Sequence, residues 1–215
     1  MTTHLRLSVE GYDMPRAEKN AEKGEQTRAA ILKAAVELFG EAGYRATSLS
    51  QIAKRAGVVQ SALHHHYGGK EQLLDAVLRR YYPADAGRPD IEAVASGERH
   101  FVDEVLTAAH RNAQDRDLVR FFSVMTGESL TQGHPAHAFF VGRYDLLRHG
   151  FAGAIAKAAG IEDKEIQEVI LRIVTLLFAT SDGLQMQWLR EPSFDFIGAM
   201  ALAAEMTRER LNAII

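Results

Sequence analysis

No cysteine occurs anywhere in the 215 residues, which excludes a disulfide framework, thiolate metal sites and cysteine nucleophiles. That fits a reducing compartment, and cytoplasmic localisation is the expectation. No apolar leader opens the chain, because Arg6, Glu10, Asp13, Arg16, Glu18 and Lys19 fall within its first 25 residues. Long apolar runs are also missing. A run such as 173–179, interrupted by Thr175, falls far short of the ~20 residues a membrane span needs, so a soluble protein with no membrane partner is expected. Leu5, Leu7 and Val9 alternate at period two only briefly and no partner strand follows, and neither internal repeats nor low-complexity stretches occur. Catalytic signatures are equally scarce: there is no Gly-rich phosphate loop, no Gly-x-Ser-x-Gly, no His-Glu-x-x-His and no Glu-x-x-His pair. An enzyme is therefore not expected, nor any cofactor.

What is present is an ordinary globular composition, 47% hydrophobic and 25% charged, with its charge unevenly spread. Residues 16–82 carry a net +4, residues 83–215 a net −6 and residues 1–15 a net −1, for −3 overall. A basic stretch on an acidic remainder suits a chain that meets a polyanion at one end only.

Helical periodicity dominates. Ile31, Ala34, Ala35, Leu38 and Phe39 form one apolar face, and Gly43 supplies a stop. Ser48-x-x-Gln51 has the form of a capping box opening a second helix, whose inward face is Leu49, Ile52, Ala53 and Ala56. Gly57 breaks it. A short helix over 60–66 turns Leu63 inward, and a fourth begins at Lys70 with Leu73, Leu74, Val77, Leu78 and Tyr81 on one side. Further helices are predicted over 91–112, 115–130, 134–159, 163–189 and 193–213. Residues 1–23 show no stripe and are read as a flexible arm, and 83–90 (PADAGRPD) as a connection. The expectation is an all-α chain with a three-helix DNA-binding unit over 24–69 and a helical ligand-binding and dimerisation unit over 70–215.

Two short helices joined by a Gly-containing turn form a helix-turn-helix arrangement. On the second, Gln60, Ser61, Ala62, His64 and His65 face outward; none is acidic, so the helix can enter a major groove without repelling phosphate. The pattern by itself is also that of a plain αα-hairpin. The longer stretch 27–82, with LFGEAGY, ATSLSQIAKRAGV, a His-rich end and KEQLL, resembles the N-terminal domain of the TetR (tetracycline-repressor-like) family of transcriptional regulators. The resemblance covers 56 of 215 residues. It implies a homodimer bound to a near-palindromic double-stranded operator and released by a small-molecule effector in the C-terminal domain.

By that resemblance Thr47 and Ser48 stand where the second helix begins and touches phosphate, with Ser50 and Gln51 beside them. Gln60, Ser61 and Ala62 stand where base edges are read. His64, His65 and His66 occupy sites usually held by an aromatic residue and one or two histidines, and Lys70 matches a phosphate-binding lysine. Three positions depart from the pattern: Val59 and Gly69 replace capping serines, and His64 replaces a tyrosine. The histidine run is not a metal site, since consecutive helical residues point about 100° apart. His134 and His137 have a chelating spacing but lack a second pair of ligands, so no metal is expected.

In the C-terminal unit Phe121, Met125, Glu128, Phe140, Tyr144, Phe178 and Asp182 are the candidate ligand-binding residues, with plain core packing as the alternative for the aromatics. Val174, Leu177, Gly183, Ile197, Met200, Ala201 and Ala204 are the candidate dimer interface, a pair of helices forming a four-helix bundle across a two-fold axis; the alternative is that they face only the chain's own core. The fourth helix, touching both units, is the expected transmitter. The functional expectation is a ligand-responsive regulator, a repressor released by a small hydrophobic effector. The alternative is a helix-turn-helix protein without an effector that acts through protein partners.

Overall fold

The computed structural model describes residues 16–82 and 90–215. The first 15 residues of the predicted arm, and residues 83–89 of the predicted connection, lie outside the described residues. Every regular element described is a helix: α1 (Arg16–Ala46), α2 (Leu49–Arg55), α3 (Gln60–Tyr67), α4 (Lys70–Tyr81), α5 (Ile91–Ala95), α6 (Phe101–Asn112), α7 (Arg116–Glu128), α8 (His137–Ala158), α9 (Lys164–Arg190) and α10 (Phe196–Asn212). The chain is all-α, as expected.

Two boundaries differ from expectation. Residues 16–23, read as arm, are the first turns of α1. They have no apolar stripe to betray a buried face, but RAEKNAEK is composed mostly of strong helix formers. The single helix predicted over 91–112 is two, α5 and α6. Gly97 adopts φ +76, a left-handed conformation that ends α5, and the His100 ring accepts the Val102 N–H to begin α6.

Two packed clusters result. One gathers Ile31, Ala35 and Phe39 of α1, Ile52 and Ala53 of α2, Leu63 of α3 and Leu73, Leu74 and Val77 of α4. It does not stop at residue 69. Phe121 and Met125 of α7 and Phe140 of α8 belong to the same cluster, and α1 packs more extensively on α7 than on α2 or α4. The close approach is visible at Gly40, where a Cβ would sit 3.0 Å from the backbone nitrogen of Phe121. The second cluster joins Phe101 and Val105 (α6), Phe151 and Ile155 (α8), Ile170, Val174 and Leu177 (α9), and Met200 and Ala204 (α10). Phe101, Phe151 and Phe178 form an aromatic triangle within it, with centroids 4.9–6.1 Å apart.

By length and composition α9 alone among the described helices could cross a membrane, with 27 residues and a mean hydropathy of 1.4 over its most apolar 18. The longest-run criterion misses this because Thr175, Thr180, Ser181 and Asp182 interrupt the sequence. One face of α9 lies in the core, through Ile170, Ile173, Val174 and Leu177, and carries the buried polar pair Ser181 and Gln185.

Phe151 is completely buried at the centre of the aromatic triangle. Phe151→Ala is expected to lower unfolding free energy by about 3–5 kcal/mol in urea denaturation, while an exposed change such as Glu165→Ala stays within about 0.5 kcal/mol.

Candidate nucleic-acid interface and internal cavity

The capping box expected from sequence is formed. Ser48 Oγ accepts the Gln51 N–H (3.3 Å), and Gln51 Oε1 accepts the Ser48 N–H (2.7 Å). Both side chains are thereby engaged at the start of α2, and Ser50 Oγ lies 3.1 Å from Ser48 Oγ. After the turn at Gly57, α3 begins without a side-chain cap at Val59, as the substitution for serine implies. No acidic residue lies in the first turn of α2 or α3, so both positive helix ends are uncompensated. Gln60, Ser61, His64 and His65 are exposed, whereas Ala62 and His66 are half-buried and Leu63 anchors the helix beneath them. His64 Nδ1 lies 2.9 Å from the Gly68 carbonyl, closing the C-terminus of α3. The outer side of α3 is thus a short, polar, histidine-rich ridge.

Two candidate phosphate contacts are turned inward instead. Thr47 is buried, and its hydroxyl donates to the carbonyls of Gly43 (2.7 Å) and Leu38 (3.1 Å). Lys70 Nζ donates to the carbonyls of Tyr44 and Thr47, both at 3.0 Å, and lies 4.4 Å from the centroid of the Tyr44 ring. The end of α1 leaves carbonyls without helical partners, and the cation that opens α4 satisfies them.

Below this head, α4, α6, α7, α8 and α9 enclose a cavity of about 230 Å³. Tyr82, Phe122, Tyr144 and Phe178 supply aromatic walls, Val105, Ala109, Val119 and Leu147 aliphatic ones, and Ser181, Asp182 and Gln185 polar groups. Arg143 lies over the rings of Tyr82 (5.1 Å) and Phe122 (5.7 Å). A second, more open cavity of about 450 Å³ shares Tyr144, Phe178 and Asp182 with the first. The Tyr144 hydroxyl donates to Asp182 Oδ2 at 2.6 Å, so this bond forms part of the partition between them. Burial pushes the Asp182 carboxyl above the ordinary carboxylate range, against the opposing pull of the Tyr144 bond and Arg143. Burial and the neighbouring Asp182 likewise raise the Tyr144 phenol.

Of the candidate ligand residues, Tyr144, Phe178 and Asp182 line both cavities, and Phe140 the second. Phe121 and Met125 line neither: they are sealed between α7 and α1. Glu128 also lies elsewhere, accepting the Tyr44 N–H at 2.9 Å. The cause is that α7 is apolar on two sides; positions 118, 119 and 122 face the cavity while 121 and 125 face α1. Tyr82 and Arg143 were not among the sequence candidates. A cation set between Phe139, Phe140 and Tyr144 in the first turns of α8 is the signal that could have revealed Arg143. Of the candidate dimer residues, Val174, Leu177, Met200 and Ala204 are buried in the chain's own core; Gly183 and Ile197 are half-buried, and Ala201 is exposed. His134, too, is buried beside Glu128, and among the described residues no cluster of three or more metal-ligating side chains occurs.

A helix-turn-helix head with an exposed polar ridge on α3, seated on a helical body with an internal cavity, is the arrangement of a two-part helix-turn-helix protein. A family profile described as "Bacterial regulatory proteins, tetR family" matches residues 31–77. The chain is 38% identical over 96 residues to the HTH-type transcriptional regulator SrpR of Pseudomonas putida, covering 44% of this chain and 45% of SrpR. It shows the same identity over 96 residues to the uncharacterized HTH-type transcriptional regulator TtgW, also of Pseudomonas putida, covering 44% of this chain and 71% of TtgW. The SmeT–triclosan complex, SmeT being a repressor from Stenotrophomonas maltophilia, shares the fold with a TM-score of 0.68 and 20% identity, over 84% of this chain and 89% of that one. The chain belongs to the TetR family of transcriptional regulators, whose named members here are regulators and not enzymes. It spans under half the length of SrpR.

Because the folded state raises the Asp182 pKa, it binds that proton more tightly than the unfolded chain does, and stability falls as pH rises above the unfolded value of 3.8. Asp182→Asn keeps an acceptor for Tyr144 and removes the buried charge. The variant should melt at a higher temperature than the parent at pH 7, with the gap closing as the pH approaches the unfolded value; a pH-independent gap would contradict this account.

Proposed function

We propose that the protein is a homodimeric, ligand-responsive repressor that leaves a near-palindromic operator when a small hydrophobic molecule occupies the cavity. The observation that carries this reading is the aromatic-walled cavity, floored by α7 and α9, directly behind a head whose α3 presents a polar ridge without acidic residues. The triclosan complex of SmeT, a fold relative, supports a compound of one or two rings as the effector. The size agrees, since an engineered cavity of roughly 150 Å³ suffices for benzene.

Two recognition helices must stand ~34–36 Å apart to enter successive major grooves. An apolar band on α9 and α10 supports pairing by those helices: Leu176, Met186, Leu202 and Met206 are 66%, 45%, 59% and 62% exposed. Leu176 to Gly183 and Met186, and Leu202 to Met206, follow helical spacing along one side of each helix. Exposed Gln60 and Ser61 are the base-reading side chains, with Ala62 beside them, while Ser48, Ser50, Gln51 and His64–His66 flank the backbone. A regulator that binds the chromosome this way works in the cytoplasm.

An electrophoretic shift on the protein's own upstream DNA tests the reading, with aromatic compounds screened for its reversal. Absence of any shift would overturn it. Leu202→Glu together with Met206→Glu should leave a folded monomer by light scattering and abolish the shift. Gln60→Ala should relax preference at one base pair per half-site by about 1–3 kcal/mol in a competition assay, leaving the other positions unchanged.

A further inference from the structure

The α1–α2 connection is held from two directions at one residue. Gly43 interrupts α1 with φ +84 and ψ 165, which frees the Tyr44 N–H from the helical ladder. Glu128, the last residue of α7, accepts that N–H through Oε2 at 2.9 Å. The Tyr44 carbonyl accepts from Lys70, the first residue of α4, at 3.0 Å. The left-handed backbone at position 43 favours glycine, and a Cβ there would also displace the Glu128 carboxylate from its place. Buried His134 lies beside the carboxylate: its Nδ1 accepts the Ala136 N–H at 3.2 Å, and its Nε2 stands 3.4 Å from Glu128 Oε2 without a hydrogen bond to it.

The two helices that grip Tyr44 also meet at their far ends, on the cavity. The Tyr82 hydroxyl, at the close of α4, donates to the Leu118 carbonyl near the start of α7 at 3.2 Å, and the Tyr82 ring packs on Phe122 at 5.2 Å. All three residues line the cavity. α4 and α7 are therefore antiparallel struts about 18–20 Å long, joined at the cavity and again at Tyr44. From Tyr44 the chain leads at once to α2: the Thr47 hydroxyl is tied back to Gly43, and the next residue, Ser48, is the N-cap.

We infer that Glu128 and Lys70 are positioning residues that convert the separation of α4 from α7 at the cavity into a rotation of the backbone at Tyr44, and so of α2. The inference rests on the cavity being the effector site. Moving Tyr82 away from Leu118 pivots the struts against each other and displaces Glu128 and Lys70 in opposite senses, and the backbone at Tyr44, gripped at the peptide groups on either side of its Cα, must turn. An occupant drives this only by favouring the spread arrangement over the closed one.

Hydrogen exchange of the full-length protein, free of DNA and ligand, tests the device apart from the effector reading. Glu128→Ala should speed exchange in segment 44–52 about tenfold, whereas Glu128→Gln, which keeps the acceptor oxygen, should stay within about twofold of the parent. Ala108→Phe, with Val105→Phe as a second variant, fills the cavity without a ligand. Either should speed exchange in 44–52 in the parent background and add nothing to Glu128→Ala. Unchanged exchange in Glu128→Ala, a cavity-filling effect that stops at the cavity walls, or the same increment on top of Glu128→Ala would each overturn the inference. The effector reading fails by a different result, operator binding that no compound reverses.

Discussion

The seal between α1 and α7 is the constraint on which the rest of the molecule depends. Phe39 packs on Phe121, Met125 is fully buried behind it, and Gly40 lets the two backbones come within contact distance. Interiors this tightly packed move as units rather than deforming smoothly. The head cannot swing on the body as an independent domain would. Whatever shifts α7 shifts the platform on which α2 and α3 are mounted.

That seal also divides the work of α7 by face. One side gives its side chains to the head core, the other to the cavity, and the last residue reaches the joint at Tyr44. The cavity adds a conflict of its own. It sets a carboxylate, Asp182, among aromatic rings, where burial opposes ionisation, and offsets that cost with one hydroxyl and the nearby Arg143. A fold that tolerates a penalised charge at the wall between two cavities has a polar feature there that packing alone does not require.

Local chemistry made the head legible. The capping box at Ser48 and Gln51, the missing cap at Val59 and the inward Leu63 all depend on neighbours within four residues, and each is found as read. The beginning of α1 escaped because helix propensity without amphipathicity leaves no periodic trace. The split between α5 and α6 turned on the backbone of Gly97. For the body, a stripe says that a face is covered but not by what. Val174, Leu177, Met200 and Ala204 are covered by their own chain, and Phe121 and Met125 by α1 rather than by the cavity. Thr47 and Lys70 show the same ambiguity among polar residues: a hydroxyl and an ammonium suited to phosphate serve equally well to hold backbone carbonyls.

The exposed Val59 ahead of α3 has a consequence for how that helix keeps its shape. No side chain caps the start of α3, where the Val59 carbonyl alone takes the Ala62 N–H, and the helix has only eight residues with which to hold itself together. Its order is borrowed, through Leu63 below and the His64–Gly68 closure behind. An oxyanion arriving at that end would meet the positive end of the helix with no carboxylate in its first turn to compete, so this end of α3 has stability to gain from an anionic partner.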